Sequence, residues 1–230
     1  MSQTASQPNG SPLHLDRNKA IIWARYLLDS HDWLIFATRV TRENAESGPL
    51  TSGVKLMSLS LLSPSGKIVY ESMLKPSEMI PSGLLNEHGL DYSVVFNAQP
   101  FSEIAINMAK LINGKQILAW DINAQQALFD QLCKQYAQPV LPFAGYSLRP
   151  EYARFIGDFD AQLGNYKPQS LAVDGPSATA ECRAMLHTLT TMASTSQVRD
   201  TAQTGHQGWT AELYKPKVNA KDKIKDFLGL

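Results

Sequence analysis

The stretch Trp33–Thr41, Trp-Leu-Ile-Phe-Ala-Thr-Arg-Val-Thr, constrains this chain more than any other. Its first four residues are apolar without interruption and run into a short polar cluster. An apolar run that does not alternate predicts a strand buried on both faces, at the centre of a sheet. Such a strand needs neighbours on both edges and helices above and below it.

The rest of the chain offers candidates for each. Asp16 reads as the cap of a helix over 17–29, with Ala20, Ile21, Ala24, Leu27 and Leu28 on one face. Val54–Leu62 and Lys67–Leu74 read as strands joined by the turn Pro64-Ser65-Gly66. With the first strand they predict an antiparallel meander. Phe101, Ile104, Ala105, Met108, Leu111 and Ile112 fall at helical spacing, and Gly114 follows as a stop. Ile117–Trp120 is then a short buried strand, reached by a parallel crossover. Asn123–Tyr136 predicts the next helix and Val140–Phe143 a last strand, which Pro139 and Pro142 keep from a central position. Pro150–Phe159 reads as a helix, followed by a Gly/Pro-rich loop to Gly175. Ala178, Cys182, Met185, Leu189 and Met192 mark a final core helix. A meander followed by alternating helices and strands predicts an α/β fold of α/β/α layers, with a mixed sheet of about five strands. This is the ribonuclease H-like arrangement.

The expected domain runs over residues 15–194, after a polar arm at 1–14 and before a linker at 195–208. The arm has no apolar segment of the signal-peptide kind. The tail, 209–230, carries a short charged helix with Ile224, Phe227 and Leu228 on one side. A helix of about 11 residues is marginal in isolation, so these three residues are expected to bind a partner, on this domain or on another protein. Formal net charge is zero, so no overall field draws the protein to nucleic acid. Cys133 and Cys182 lie on apolar helix faces outside any CxxC spacing, which predicts buried free thiols and a reducing, cytoplasmic setting. No run reaches the roughly 18 apolar residues that would suggest a membrane span, and no membrane partner is expected.

Several segments carry a family resemblance. The apolar lead-in with Thr38 and Thr41 is similar to the first motif of one exonuclease group, which reads Asp-Thr-Glu-Thr-Thr. Lys75-Pro76 through Ile80-Pro81, and His88-Gly89-Leu90, are similar to its "Lys-Pro … Ile-Pro" and "His-Gly-Ile" segments. Pro176-Ser177-Ala178-Thr179-Ala180-Glu181-Cys182-Arg183-Ala184 is similar to its third motif, His-Ser-Ala-Leu-x-Asp-Cys-Arg-Ala. Together they resemble the DEDD superfamily of 3′–5′ exonucleases, of the proofreading-subunit type, over about Leu15–Ala193. The resemblance implies two divalent ions held by four carboxylates, with a His or Tyr as general base.

Carried over residue by residue, those roles fall on residues that cannot perform them. The carboxylates of the first motif become Ala37 and Arg39, and that of the second becomes Gln125. The base becomes Pro176, and only Glu181 keeps a carboxylate. Arg39 would also repel a cation, by about 4 kcal/mol for unit charges 4 Å apart at an effective dielectric of 20. The expectation is therefore a pseudoenzyme: no catalytic residue, no metal and no cofactor, acting as a protein-binding or scaffold subunit. Nucleic-acid binding through Thr38, Arg39 and Trp120 is the secondary expectation. Trp120 at a strand end reads more readily as a core residue, and Arg39 either binds a phosphate or pairs with Glu181 or Asp121. The alternative is an active exonuclease on single-stranded DNA or RNA that uses magnesium or manganese at a rearranged site including Glu181 and Asp121.

Overall fold

The computed structural model describes residues 12–42, 54–75 and 92–197. In chain order the elements are α1 (Pro12–Asp29), β1 (Trp33–Arg42), β2 (Val54–Leu62), β3 (Ile68–Met73), α2 (Tyr92–Phe96) and α3 (Phe101–Ile112). They continue with β4 (Gln116–Ala119), α4 (Ile122–Gln135), β5 (Gly145–Ser147), α5 (Leu148–Ile156), β6 (Phe159–Asp160), β7 (Asn165–Tyr166) and α6 (Ala178–Ser194). The polar loop after Arg42, the segments around Pro76–Pro81 and His88–Leu90, and the tail with Ile224, Phe227 and Leu228 lie outside the described residues.

The chain divides into two compact units. One contains residues 31–148 and 171–187 and is built on a five-stranded sheet in the order β3-β2-β1-β4-β5. β1 is the central strand, antiparallel to β2 on one edge and parallel to β4 on the other. The pairs β2–β3 and β4–β5 are antiparallel and parallel, so the sheet is mixed, as the order of strands and helices in the sequence requires.

The uninterrupted apolar run of β1 serves both faces. Leu34 and Phe36 enter a core with Phe101, Ile104, Ala105 and Met108 of α3 and Leu128, Phe129 and Leu132 of α4. Phe36 meets Phe129 and Phe143 edge-on at centroid distances of 5.5 and 5.4 Å. Such contacts add about 0.5–1.5 kcal/mol each to the burial of the rings. On the opposite face Ile35 and Ala37 are fully buried, and the Ile35 carbonyl is 3.8 Å from the Cys182 sulfur of α6.

Two elements lie elsewhere than the sequence predicts. The last strand is Gly145–Ser147, not Val140–Phe143. Pro139 and Pro142 interrupt the earlier stretch, whereas Gly145 can approach β4: a Cβ there would sit 1.8 Å from the Ile117 carbonyl oxygen. Helix α5 accordingly begins at Leu148, with Pro150 in its first turn where a missing N–H costs nothing.

The second unit contains the described residues up to Ser30, residues 149–170, and those from Thr188. Helix α1 begins at Pro12, so Asp16 lies within it and is not its cap. The Asp16 carboxylate instead bonds sideways, to Lys19 at 3.0 Å and to the Tyr166 hydroxyl at 3.0 Å. Arg25 donates to the Ala193 and Thr195 carbonyls, both at 2.8 Å, and so satisfies acceptors at the end of α6. The β6–β7 hairpin interrupts what the sequence predicts as loop; two residues per strand are too few to show alternation.

Candidate functional site

Beyond Ala37 the central strand turns polar, and its alternation sends successive side chains to opposite faces. Thr38 points toward α4. It is 8% exposed, and its hydroxyl donates to Gln125 Oε1 at 2.9 Å. Gln125 sits in the first turn of α4, which Asp121 caps by accepting the Asn123 and Ala124 N–H groups. The carboxylate of Asp121 is thus engaged by its own helix, and Gln125 is tied to the central strand.

Arg39 points toward α6. Its Nε lies 3.8 Å from Glu181 Oε2, and its Nη2 donates to the Gly175 carbonyl at 3.2 Å. Of the two acidic partners open to Arg39 on the sequence, Glu181 is the one the fold supplies. The side chains are 31% and 18% exposed, so the pair is half-open to solvent. It is also loose: the Arg39 Nε–H is buried and has no hydrogen-bond acceptor among the described residues. Burial pushes the Glu181 carboxyl above the usual range, against the downward pull of Arg39. The β1–β2 register shifts immediately after Arg39, between Arg39 and Val40. Bulges of this kind re-aim side chains at the end of a ladder.

Pro176 is exposed in the loop before α6 and carries no titratable group. Ser177 caps α6 by accepting the Ala180 N–H at 3.0 Å, which fixes the first turn and with it the direction of Glu181. Trp120 is half-buried at the end of β4.

A second polar cluster on the α6 face escapes the sequence reading. Ala37, Ser60 and Glu71 stand in one row across β1, β2 and β3. Thr179 of α6 meets this row: its hydroxyl lies 2.9 Å from Ser60 Oγ and makes a short contact with the Glu71 carboxylate. Ser60 is fully buried and Thr179 is 5% exposed, so these hydroxyls depend on each other and on Glu71. In sequence Ser60 is one of two serines, with Ser58, in the strand Val54–Leu62, and nothing local marks its partner as lying 119 residues away.

The fold thus gathers the positions of all three motifs at one end of β1. The residues there do not fit a pair of divalent ions. Ala37 offers no ligand, Arg39 brings a positive charge, the Gln125 carbonyl oxygen is taken by Thr38, and Glu181 faces Arg39. Among the described residues no group of three or more His, Cys, Asp or Glu is placed to hold a metal ion.

No protein-family model matches the sequence, and no curated protein matches it. Solved structures do share its fold. A full-length 3′-exonuclease superposes with a TM-score of 0.53 at 15% identity, covering 71% of this chain and 82% of its own. The nuclease domain of 3′hExo, a DEDDh family member bound to rAMP, gives a TM-score of 0.50 at 14% identity, covering 71% and 92%. The mixed five-stranded sheet is therefore the ribonuclease H-like fold that these exonuclease structures share.

Proposed function

We propose that this chain is an exonuclease-fold domain that has given up two-ion phosphodiester cleavage and works by binding, as a scaffold subunit for a protein partner. The observation that carries the reading is Arg39. A permanent cation stands where the fold's chemistry calls for an anionic ligand, and the one retained carboxylate, Glu181, faces it. Two-ion catalysis needs several anionic ligands at once, so losses at all three motifs compound one another.

Residual nucleic-acid contact belongs to the same reading. One structural neighbour holds rAMP. Arg39, 31% exposed, has N–H donors for a phosphate beyond the one given to Gly175. Zero net charge and the Glu181 carboxylate beside the guanidinium keep such binding weak.

The test uses nuclease-free full-length protein with labelled single-stranded DNA and RNA in magnesium or manganese. No shortening above background is expected, and calorimetric titration should show no saturable binding of manganese. Metal-dependent digestion that is lost in Glu181→Ala would overturn the reading in favour of a rearranged active site. Any oligonucleotide binding should weaken with salt and with Arg39→Ala.

A further inference from the structure

We propose that Asn113 is a site of spontaneous covalent modification: its side-chain amide is lost through a cyclic imide formed with the Gly114 nitrogen, leaving aspartate or isoaspartate between α3 and β4. Asparagine is among the thermolabile side chains, and a glycine after it leaves the attacking nitrogen unshielded. The sequence holds two such pairs, Asn9-Gly10 and Asn113-Gly114. The second stands at the entry to the central sheet, and none of its surroundings belongs to the Arg39 site.

Asn113 ends α3 with φ −58° and ψ 117°, and Gly114 follows at φ 74°. The Lys115 N–H donates to the Ile112 carbonyl at 2.9 Å, so residues 112–115 make a type II turn. That hydrogen bond joins the outer residues of the turn, and the peptide between Asn113 and Gly114 takes no part in it. Among the described residues the Gly114 N–H has no acceptor, and the exposed Asn113 side chain has no partner. Ring closure needs this peptide to rotate until its nitrogen meets Asn113 Cγ. A flip between type II and type I turns is such a rotation: it moves ψ of Asn113 and φ of Gly114 and leaves the outer hydrogen bond in place. Glycine accepts both signs of φ, so position 114 does not resist the flip.

The reaction needs only water. The Gly114 nitrogen gives its proton to base and bonds to Asn113 Cγ, and the amide nitrogen takes up a proton and leaves as ammonia. Water then opens the imide. Breaking the bond from Cγ to nitrogen gives aspartate in an unchanged main chain. Breaking the bond from the backbone carbonyl carbon to nitrogen gives isoaspartate, whose main chain runs through Cγ and is one methylene longer. Either product puts a carboxylate at the negative end of the α3 dipole, two residues before Lys115, which pairs with Asp32 at 3.0 Å. The added methylene lies three residues before Gln116, whose N–H donates to the Asp32 carbonyl at 2.8 Å and which pairs with Trp33 of the central strand. The modification therefore acts where the chain enters the parallel half of the sheet.

The test holds the native full-length chain in mildly alkaline buffer at physiological temperature and follows its tryptic peptides by mass. Peptide 111–115, Leu-Ile-Asn-Gly-Lys, is expected to gain one dalton over the zero-time sample, in two products with isoaspartate in excess. The rate should lie within about a hundredfold of that in the urea-unfolded chain, because access through global unfolding alone would slow it far more. Asn113→Gln, which would have to close a six-membered ring, should convert at least tenfold more slowly. The fraction enriched in isoaspartate should melt below Asn113→Asp, which carries the charge without the methylene. A slower native rate, aspartate as the sole product, or equal conversion in Asn113→Gln would overturn the proposal. So would conversion confined to Asn9, read on peptide 1–17. An aged fraction that melts together with Asn113→Asp would overturn the claim that the longer main chain disturbs the sheet.

Discussion

The two faces of the central sheet are built from different chemistry. Toward α3 and α4 the strands present Leu34, Phe36, Leu59 and Leu61, which join one apolar cluster knotted by Phe36, Phe129 and Phe143. Toward α6 they present Ala37, Arg39 and Ser60, met by Thr179, Glu181 and the sulfur of Cys182. One face is held by area and shape, which tolerate many apolar sequences. The other is held by particular donors and acceptors, each of which fails if its partner is changed. A fold can therefore persist through the first face while the chemistry of the second is rewritten. Arg39 illustrates the separation: it keeps its place in the ladder opposite Ser58 while its guanidinium faces Glu181 on the polar side.

This contrast can be broken by substitution. The largest effect is expected at Phe36→Ala, which removes a fully buried ring from the aromatic contacts and should cost about 3–5 kcal/mol. Denaturant unfolding would measure it, and a loss below about 1 kcal/mol would mean that this face is not the chief support of the fold. Thr179→Val should come next, at about 1–3 kcal/mol, because it strips Ser60 and the Glu71 carboxylate of a shared hydroxyl. Far-UV circular dichroism at low temperature should stay unchanged, and Ser60→Ala in the same background should add little further loss.

Arg39→Ala should cost about 1–2 kcal/mol, less than a sealed buried pair would, because both partners are partly exposed and the contact is loose. A melt unchanged by Arg39→Ala would make the pair a bystander. The smallest effect concerns pH. Folding holds the Glu181 carboxyl above its ordinary value of 4.5, through burial opposed by Arg39. A carboxyl raised in the folded state adds stability below its unfolded pKa, and that share is lost as pH rises through the folded value. Stability measured upward from pH 4 should therefore decline more in the native protein than in Glu181→Gln. Identical profiles would mean that Glu181 is solvated as freely in the folded chain as in the unfolded one.

The apolar face was legible in the sequence and the polar face only in part. Phe36 and Met108 announce themselves through an apolar run and helical spacing, because burial acts on every apolar residue of an element at once. Arg39 and Glu181 could be paired in advance, because two motifs bracketed them and a charge needs an answer. Ser60, Thr179 and Glu71 could not, since a pair of hydroxyls leaves no periodic mark. The displaced last strand has a similar cause. Its position depends on how closely Gly145 approaches Ile117, a matter of tertiary clearance that propensity does not register. The early start of α1 reflects the same limit, as Asp16 is claimed by Tyr166 from 150 residues away.

The placement of the two thiols has a practical consequence. Cys133 lies in the apolar cluster, and Cys182 lies under the polar face, 3.4 Å from the Ser60 carbonyl; both are fully buried. Burial pushes both thiols up, so each stays protonated and shielded while its face is closed. Each becomes open to alkylation only when its surroundings part. The chain therefore carries one natural clock on either side of its sheet, and the ratio of their labelling rates reports whether the two faces open as a single cooperative unit or the polar side yields first.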